Sequence, residues 1–457
     1  MSDPSSASAT ASKWVVLDDD PTGCQTVHSC PLLTRWGIDE LRAALTDPAP
    51  LFFVLTNTRA LPAERAAALI REVCQNLARA RDALAREGHA VGLRLVSRSD
   101  STLRGHFPVE TDGLNEVLGP FDALFLVPAF LEGGRITRDG VHYVVQGADA
   151  VPAHETEFAQ DSVFGYRHSY LPDYVEEKTG GRIPADRVTV LDRAALADPA
   201  LAERLAALRD GACCAVDAVE AEDLDRFAAA VETALREGKR FLFRSGASLV
   251  KAVVDLPPQP LPPASMHELV RSAAPGVVLV GSYVAKTSRQ LEALLTAADV
   301  APIEVSVERV ETEREALEAE LIEAVARAHA EGRTPVVFTS RAERRPGSAE
   351  ARLALGVQIS EVLMQVVRNL PATTGFLISK GGITSNDTLS QGLALGVARL
   401  QGQIAPGCSV VRCPDDHPRY PGLPVVIFPG NVGDEQALLT VYRRLRPLGP
   451  DTAPIRG

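Results

Sequence analysis

"WVVLDDDPTGCQTV", Trp14 to Val27, decides how this chain is read. An apolar run ends in three consecutive aspartates and then a Pro-Thr-Gly turn. That order fits a short buried strand stopping at a turn. The figure returns in "PLFFVLTNTRAL", whose apolar run closes in Thr56, Asn57, Thr58 and Arg59. It returns again in "GLRLVSRSDSTLRG" and in "FDALFLVPAF", which ends at Pro128. Pro62 to about Glu87 is predicted helical, with Leu69, Ile70, Val73, Leu77 and Leu84 on one face. Strands alternating with helices indicate a parallel α/β sheet. Ligands of such sheets bind beyond the carboxyl ends of the strands, where these polar tips fall.

The pattern extends through "RVTVL", "CCAVDA" and "RFLFRSG". The prolines of "VDLPPQPLPPASM", Val254 to Met266, then favour an extended linker. Beyond it the alternation restarts with "GVVLVGSYVAKTSRQLEALL" and "TPVVFTS". A helix from about Ala349 to Asn369 follows, then "TGFLISKGGITSNDTLSQGLAL" and "LPVVIFPGNVGDEQALLTVYRRL". The expected organisation is a disordered tail over 1–12, a first domain over 13–253, a linker over 254–274 and a second domain over 275–457. The expected fold class is two α/β domains with mainly parallel sheets and an interdomain cleft.

The 457 residues are too many for one ordinary domain. Hydrophobic content of 46% and charged content of 23% suit a soluble globular protein. A net charge of −12 argues against nucleic acid or an anionic membrane as partner. It leaves room for a phosphate ligand at a locally positive site. The 7 cysteines are scattered with no CxxC pair, which argues against a disulfide framework or a zinc site. "MSDPSSASATAS" lacks the regions of a signal peptide, and no apolar run reaches membrane-spanning length. A cytoplasmic enzyme, and a possible homodimer, is the expectation.

Asp18, Asp19 and Asp20 repel one another, and each loses hydration on burial. A turn cap explains one of them. The others call for Mg²⁺, an arginine, or a proton shared during catalysis. An EF-hand is excluded, because its ligands alternate along a longer loop. "SRSDSTLRGHF", Ser97 to Phe107, sets Arg98, Asp100, Ser101, Thr102 and Arg104 just past a strand. Turn chemistry accounts for Asp100 and Ser101. It does not need two arginines, whose planar forks match a carboxylate or phosphate. Together these groups suit a small polyhydroxylated acid, with an aspartate beside a hydroxyl as general base.

In the second half, "SKGGITSND", Ser379 to Asp387, and "FPGNVGDEQ", Phe428 to Gln436, follow strands and precede helices. Gly381 and Gly382 permit a phosphate to approach the backbone. A tight strand-to-helix turn capped by Ser385 or Asp387 is the bland alternative. "GSYVAKTSRQ" lacks the glycine before Lys286 that a P-loop needs, and no GxGxxG occurs. His28 and His106 read as structural hydrogen-bonders. His154, Glu155 and Glu157 read as polar loop residues rather than a metal site.

Taken in order, "DDDPTG", "RSDSTLRG", "KGGITS" and "FPGNVGD" resemble the marks of the four-carbon acid sugar kinases, formerly a family of unknown function. The resemblance runs from Trp14 to about Arg446. It implies an N-terminal domain that binds a sugar acid such as threonate, erythronate or 3-oxo-tetronate, and a C-terminal domain that binds ATP with Mg²⁺. It implies Asp19 and Asp20 as the catalytic pair. Arg98, Asp100, Ser101, Thr102, Arg104 and Gly105 fall at substrate positions. Ser282, Gly381, Gly382, Thr384, Ser385, Gly430 and Asn431 fall at nucleotide positions. The metal ligands stay open. The sequence departs from the common pattern at Pro21, where others have a larger apolar residue, and at Ile383, where many have glutamate. An ATP-dependent sugar-acid ligase and a non-catalytic sugar-acid sensor are the competing readings.

Overall fold

The computed structural model describes residues 11–147, 149–282, 284–340, 349–430 and 432–446. The chain divides into two compact units. One holds the residues up to Gly23 together with Cys30–Leu256, and the other holds Cys24–Ser29 and the residues from Pro257 onward.

The first unit contains β1 (Ala11–Asp18), β2 (Pro31–Leu33), β3 (Leu51–Leu55), β4 (Val91–Arg98), β5 (Ala123–Val127), β6 (Arg135–Arg138), β7 (Val141–Gln146), β8 (Asp149–Pro152), β9 (Val188–Leu191), β10 (Ala212–Val216) and β11 (Phe241–Ser245). Its main sheet runs β2-β3-β1-β4-β11-β5-β10-β9, and every pairing is parallel. Strands covered on both faces are apolar throughout, and β3 is buried at every position. The register aligns the strand ends. Asp18 pairs with Leu55 and Arg98, Arg98 with Ser245, and Ser245 with Val127. The loops that follow these strands therefore leave the sheet along one edge. The helix Ala63–Arg86 lies within the expected span and buries Ile70, Val73, Leu77 and Leu84, with Leu69 half-buried. A separate antiparallel sheet, β6-β7-β8, was not foreseen. Its first hairpin turns at Asp139 and Gly140, both at positive φ (52° and 73°), as a two-residue hairpin turn requires.

The second unit contains β12 (Val277–Val280), β13 (Val300–Val305), β14 (Thr334–Thr339), β15 (Leu377–Lys380), β16 (Val397–Ala405), β17 (Cys408–Arg412) and β18 (Pro424–Phe428). The order is β13-β14-β12-β15-β18-β17-β16, parallel as far as β18 and antiparallel beyond it. Val280 pairs with Phe338 and Lys380, and Lys380 with Phe428, which again aligns the carboxyl ends. Val278, Ile378, Val426, Phe376 and Tyr442 lie in its core. The helix expected from Ala349 ends at Arg368.

The expected segment boundaries differ from the observed ones in three places. Residues 1–10 of the expected tail lie outside the described residues, whereas Ala11 and Ser12 pair with Val91 and Gly92 in β1. The proline-rich segment is structured from Pro257 onward. It forms a 3₁₀ turn over Pro263–Leu269, and Met266 is 0% exposed in the second unit's core. Prolines stiffen the backbone there, but Leu261, Met266 and Leu269 supply apolar surface to bury. Cys24–Ser29 belongs with the second unit, because its backbone finds partners on β16: Ser29 N–H donates to Leu400 O (2.7 Å) and Arg399 donates to Ser29 O (2.8 Å). No helix among the described residues is long and apolar enough to cross a membrane.

Candidate functional site

The three aspartates at the end of β1 have three different environments. Asp18 is 0% exposed. One carboxylate oxygen stands 3.8 Å from Arg98, and the other has no hydrogen-bond partner among the described residues. Burial pushes its carboxyl well above the usual range, against the pull of Arg98. Gly23 closes over it, and a Cβ at that glycine would stand 2.0 Å from a carboxylate oxygen. Asp19 is 1% exposed and is gripped by the Arg59 fork, Nε to Oδ2 at 3.2 Å and Nη2 to Oδ1 at 2.6 Å. Burial raises its carboxyl too, with Arg59 opposing. Asp20 is the open one, its side chain 22% exposed. Its Oδ1 accepts from the Thr22 amide (2.8 Å) and hydroxyl, and its Oδ2 faces Arg59 at 3.6 Å.

Arg59 thus ties the tip of β3 to the tip of β1, and it also comes within 4.0 Å of Asp100 on the loop after β4. Behind Asp19, Arg244 of β11 pairs with Glu110, which also accepts from Thr58. Gly105, at φ 113°, lets the chain pass between these groups: a Cβ there would stand 2.9 Å from Asp19 Oδ2 and 3.0 Å from Arg244.

The Asp100–Arg104 loop is held from outside the main sheet. Successive carbonyls of Ser101, Thr102 and Leu103 accept from His142 Nε2 (2.7 Å), Tyr166 OH (2.7 Å) and Tyr174 OH (2.8 Å). Since a carbonyl only accepts, His142 carries its proton on Nε2, and its Nδ1 accepts from Thr137 Oγ1 (2.9 Å). Burial lowers this imidazole to about 4, so it is neutral at pH 7. The pinning holds Leu103 at a positive φ of 66°, a backbone state rare for a branched side chain. Inside the loop Asp100 accepts from Arg104 Nε (2.6 Å) and from Thr102 Oγ1. Burial works against its ionisation, yet Arg59 and Arg104 hold it far below the usual carboxylate range. Ser99, Asp100, Leu103, Leu126, Pro128, Tyr174 and Arg244 line a cavity of about 10 Å³, which is room for one water.

Arg98 or Arg104 was expected at a ligand carboxylate. Arg98 is 4% exposed, at the buried carboxyl end of β4, and stands 3.8 Å from Asp18. Ser101 and Thr102 are buried too, and the Thr102 hydroxyl is spent on Asp100. Arg59, His142, Tyr166 and Tyr174 were not among the expected site residues.

In the second unit the expected loops also meet. Gly281 follows β12, and a Cβ there would stand 2.0 Å from Thr384 Oγ1. A Cβ on Gly381, at φ 119°, would come 3.2 Å from that oxygen and 3.5 Å from Ser282 Cβ. Gly381 is the whole turn, since the helix Gly382–Asp387 starts directly after it. The first amides of a helix have no intrahelical acceptor, so the backbone of this turn suits phosphate oxygens. Ser385 donates back to Ser379 O (2.9 Å) and so braces the turn. Ile383 is 65% exposed. Thr287 holds Gly430 O (3.0 Å), and Gln290 holds the carbonyls of Val432 (3.0 Å) and Asp434 (2.6 Å). Asn431 lies outside the described residues. Lys380, wholly buried, donates to Pro429 O (3.0 Å) and lies 4.0 Å above the Phe428 ring. Burial pushes its ammonium down to about 7.

Residues 14–253 match the family described as sugar-binding N-terminal domain, and residues 277–438 the one described as nucleotide-binding C-terminal domain. D-threonate kinase of Bordetella bronchiseptica is 28% identical over 426 residues, covering 90% of this chain and 91% of that protein. D-erythronate kinase of Heliobacterium modesticaldum is 27% identical over 301 residues, or 62% of this chain and 60% of that protein. Two solved structures share the fold. A Salmonella typhimurium LT2 protein described as a tRNA synthase has a TM-score of 0.69 at 17% identity, covering 95% of this chain and 98% of its own. Haemophilus influenzae protein HI1011 has a TM-score of 0.62 at 18% identity, covering 94% and 100%.

Proposed function

Because the chain belongs to the four-carbon acid sugar kinase family, we propose that it transfers the terminal phosphoryl group of ATP to a hydroxyl of a four-carbon sugar acid. The acid is of the threonate, erythronate or 3-oxo-tetronate type. The likeness to a D-threonate kinase over 90% of the chain supports this reading most strongly. The row of acids and arginines at the strand ends of the first unit supports it chemically. It offers acceptors for hydroxyls and cations for a carboxylate.

Asp20 is the residue placed to take the hydroxyl proton. It is the most exposed of the three aspartates, and among the described residues its Oδ2 has only the Arg59 cation near it. Asp19, locked by Arg59, fixes the geometry around it. Asp100 stays ionised beside Arg104 and can accept a second hydroxyl. Gly281, Gly381 and Gly382, with Ser282 and Thr384, form a close-packed backbone turn with the right chemistry for phosphates. ATP would supply the phosphoryl group, and Mg²⁺ bound with it would offset part of the phosphate charge. Phosphoryl transfer asks the protein mainly for positioning and charge neutralisation.

The test is ADP release from the full chain with ATP, Mg²⁺ and a panel of four-carbon acids, with the product identified by mass. One phosphorylated acid per ADP is expected. Acid-independent ADP release across the whole panel would refute the proposal.

A further inference from the structure

Arg59, Arg98, Arg104 and Arg244 each have a carboxylate within 4.0 Å. Arg135, at the start of β6, has none among the described residues. Its backbone exchanges two hydrogen bonds with Phe130 (2.9 and 3.0 Å), just past the end of β5. This anchors it at the carboxyl edge of the main sheet, where ligands of such sheets bind. Its Nη1 donates to Gly133 O, its Nε is buried without a partner, and its Nη2 has no hydrogen bond to a described residue. The Nε–Nη2 edge is one side of the fork from which arginine makes two parallel bonds to a carboxylate. Arg135 lies 5.9 Å from the Phe158 ring centroid and Arg104 lies 5.1 Å from the same ring, so Arg135 flanks the Asp100 loop. Gly133 permits the arrangement: a Cβ there would stand 2.4 Å from the Phe130 ring and 3.2 Å from Arg135 Nη1.

We infer that Arg135, which lies outside every motif read from the sequence, grips the carboxylate of the acceptor acid through its Nε–Nη2 edge. The inference rests on the reading that this unit binds a sugar acid. Arg104 cannot serve alone, since its Nε is already committed to Asp100 and its Nη1 faces Asp161 at 3.6 Å. Burial disfavours the charge on Arg135, partly offset by Asp100, and an incoming anion would relieve that cost. The carboxylate end of the substrate would be set by Arg135, leaving its hydroxyls to Asp20 and Asp100.

The experiment is steady-state kinetics of the full chain, R135M, R135K and R138Q with D-threonate and D-erythronate. Arg138, exposed on the same strand, is the control. For whichever acid the wild type uses, R135M should raise KM about 100-fold, the loss of two charge-assisted hydrogen bonds, with kcat within about threefold. R135K, which keeps the charge without the fork, should raise KM about tenfold, and R138Q should match wild type. The lysine variant reads the same site should the methionine variant fail to fold. A KM within about threefold of wild type in both variants, or a loss of kcat with KM unchanged, overturns the inference. If the wild type phosphorylates no four-carbon acid, the proposed function fails and this inference with it. If the wild type does so and the variants keep its KM, this inference alone fails.

Discussion

Replacing Arg59 by methionine keeps most of the side-chain stem and removes the cation that organises the acid row. Two hydrogen bonds to Asp19 go, at 3.2 and 2.6 Å, along with the approaches to Asp20 (3.6 Å) and Asp100 (4.0 Å). Breaking one side of a buried ion pair costs about 3–5 kcal/mol, mostly because the remaining charge is left uncompensated. Asp19 can limit that cost by taking a proton. A carboxyl whose folded pKa is raised binds its proton more tightly folded than unfolded, so stability falls as pH rises from the unfolded value to the folded one. Asp19 is already raised by burial, with Arg59 opposing. Without Arg59 it rises further, and the window of falling stability widens upward. The deficit of R59M is therefore small at pH 5 and reaches about 4 kcal/mol at pH 8. For a unit of this size, each kcal/mol moves Tm by about 2–4 °C, so a drop of about 8–16 °C is expected at pH 8. The assay is built into the chain. Its 2 tryptophans, Trp14 and Trp36, both lie in the first unit, so tryptophan fluorescence melts report that unit alone. R59K, which keeps a charge but not the fork, should fall between. Equal melting of R59M and wild type at both pH values would refute the claim that Arg59 neutralises a buried Asp19.

Asp20→Asn should lower kcat by about 10²–10⁴-fold while ADP binding, measured by calorimetry, stays at the wild-type value. Gly23→Ala should cost about 1–3 kcal/mol in the same fluorescence melt, because its Cβ meets a buried carboxylate at 2.0 Å. His142 titrates near 6.5 unfolded and about 4 folded. The unfolded chain binds the extra proton in that window, so stability is full above pH 6.5 and falls toward pH 4 by about 3 kcal/mol from this group. His142→Gln keeps a donor for Ser101 O without the titration, so its melts should lack that acid-side slope.

What the sequence showed of the fold follows from burial. β3 and its parallel neighbours are covered on both faces and therefore read as unbroken apolar runs. β16 has one buried face, and Val397–Ala405 alternates buried with half-buried residues, so Arg399, Gln401 and Gln403 interrupt the apolar signal. Its sequence therefore reads as a strand less plainly than that of β3. The β6–β7 hairpin did carry a signal, the Asp139–Gly140 pair followed by the apolar Val141, Tyr143, Val144 and Val145, but β6 before it is short and largely polar. The site divides in the same way. Asp19, Asp20, Asp100 and Arg104 were visible because the charges crowd within short stretches. His142, Tyr166 and Tyr174 hold the same loop from 41, 64 and 71 residues away, and only the folded chain brings them together. Proximity in sequence to Asp100 does not fix the direction of Arg98. The arginine is the last residue of β4 and is buried, whereas Asp100 lies on the loop beyond.

The pairing pattern explains how one edge of a sheet can be rigid and receptive together. Arg59 with Asp19, Arg104 with Asp100 and Arg244 with Glu110 are mutual commitments within the first unit, and Arg98 stands 3.8 Å from Asp18; the Arg98–Asp18 and Arg244–Glu110 pairs are buried. Each fixes a loop tip relative to its neighbour without calling on a ligand. Uncompensated groups in such a place are costly. Asp18 Oδ2 and Arg98 Nε are buried without a hydrogen bond among the described residues, and two further groups suit the ligand of the proposed function. One is acidic, Asp20, whose Oδ2 has only a distant share of Arg59. One is basic, Arg135, with a donor edge and no acceptor among the described residues. A hydroxy acid carries the complement of both, a proton to give at one end and a carboxylate at the other. A neutral polyol of the same length would satisfy Asp20 and leave Arg135 unpaired. On the proposed function, selection for the acid would then lie with Arg135, remote from the reacting hydroxyl, and would be read in KM rather than kcat.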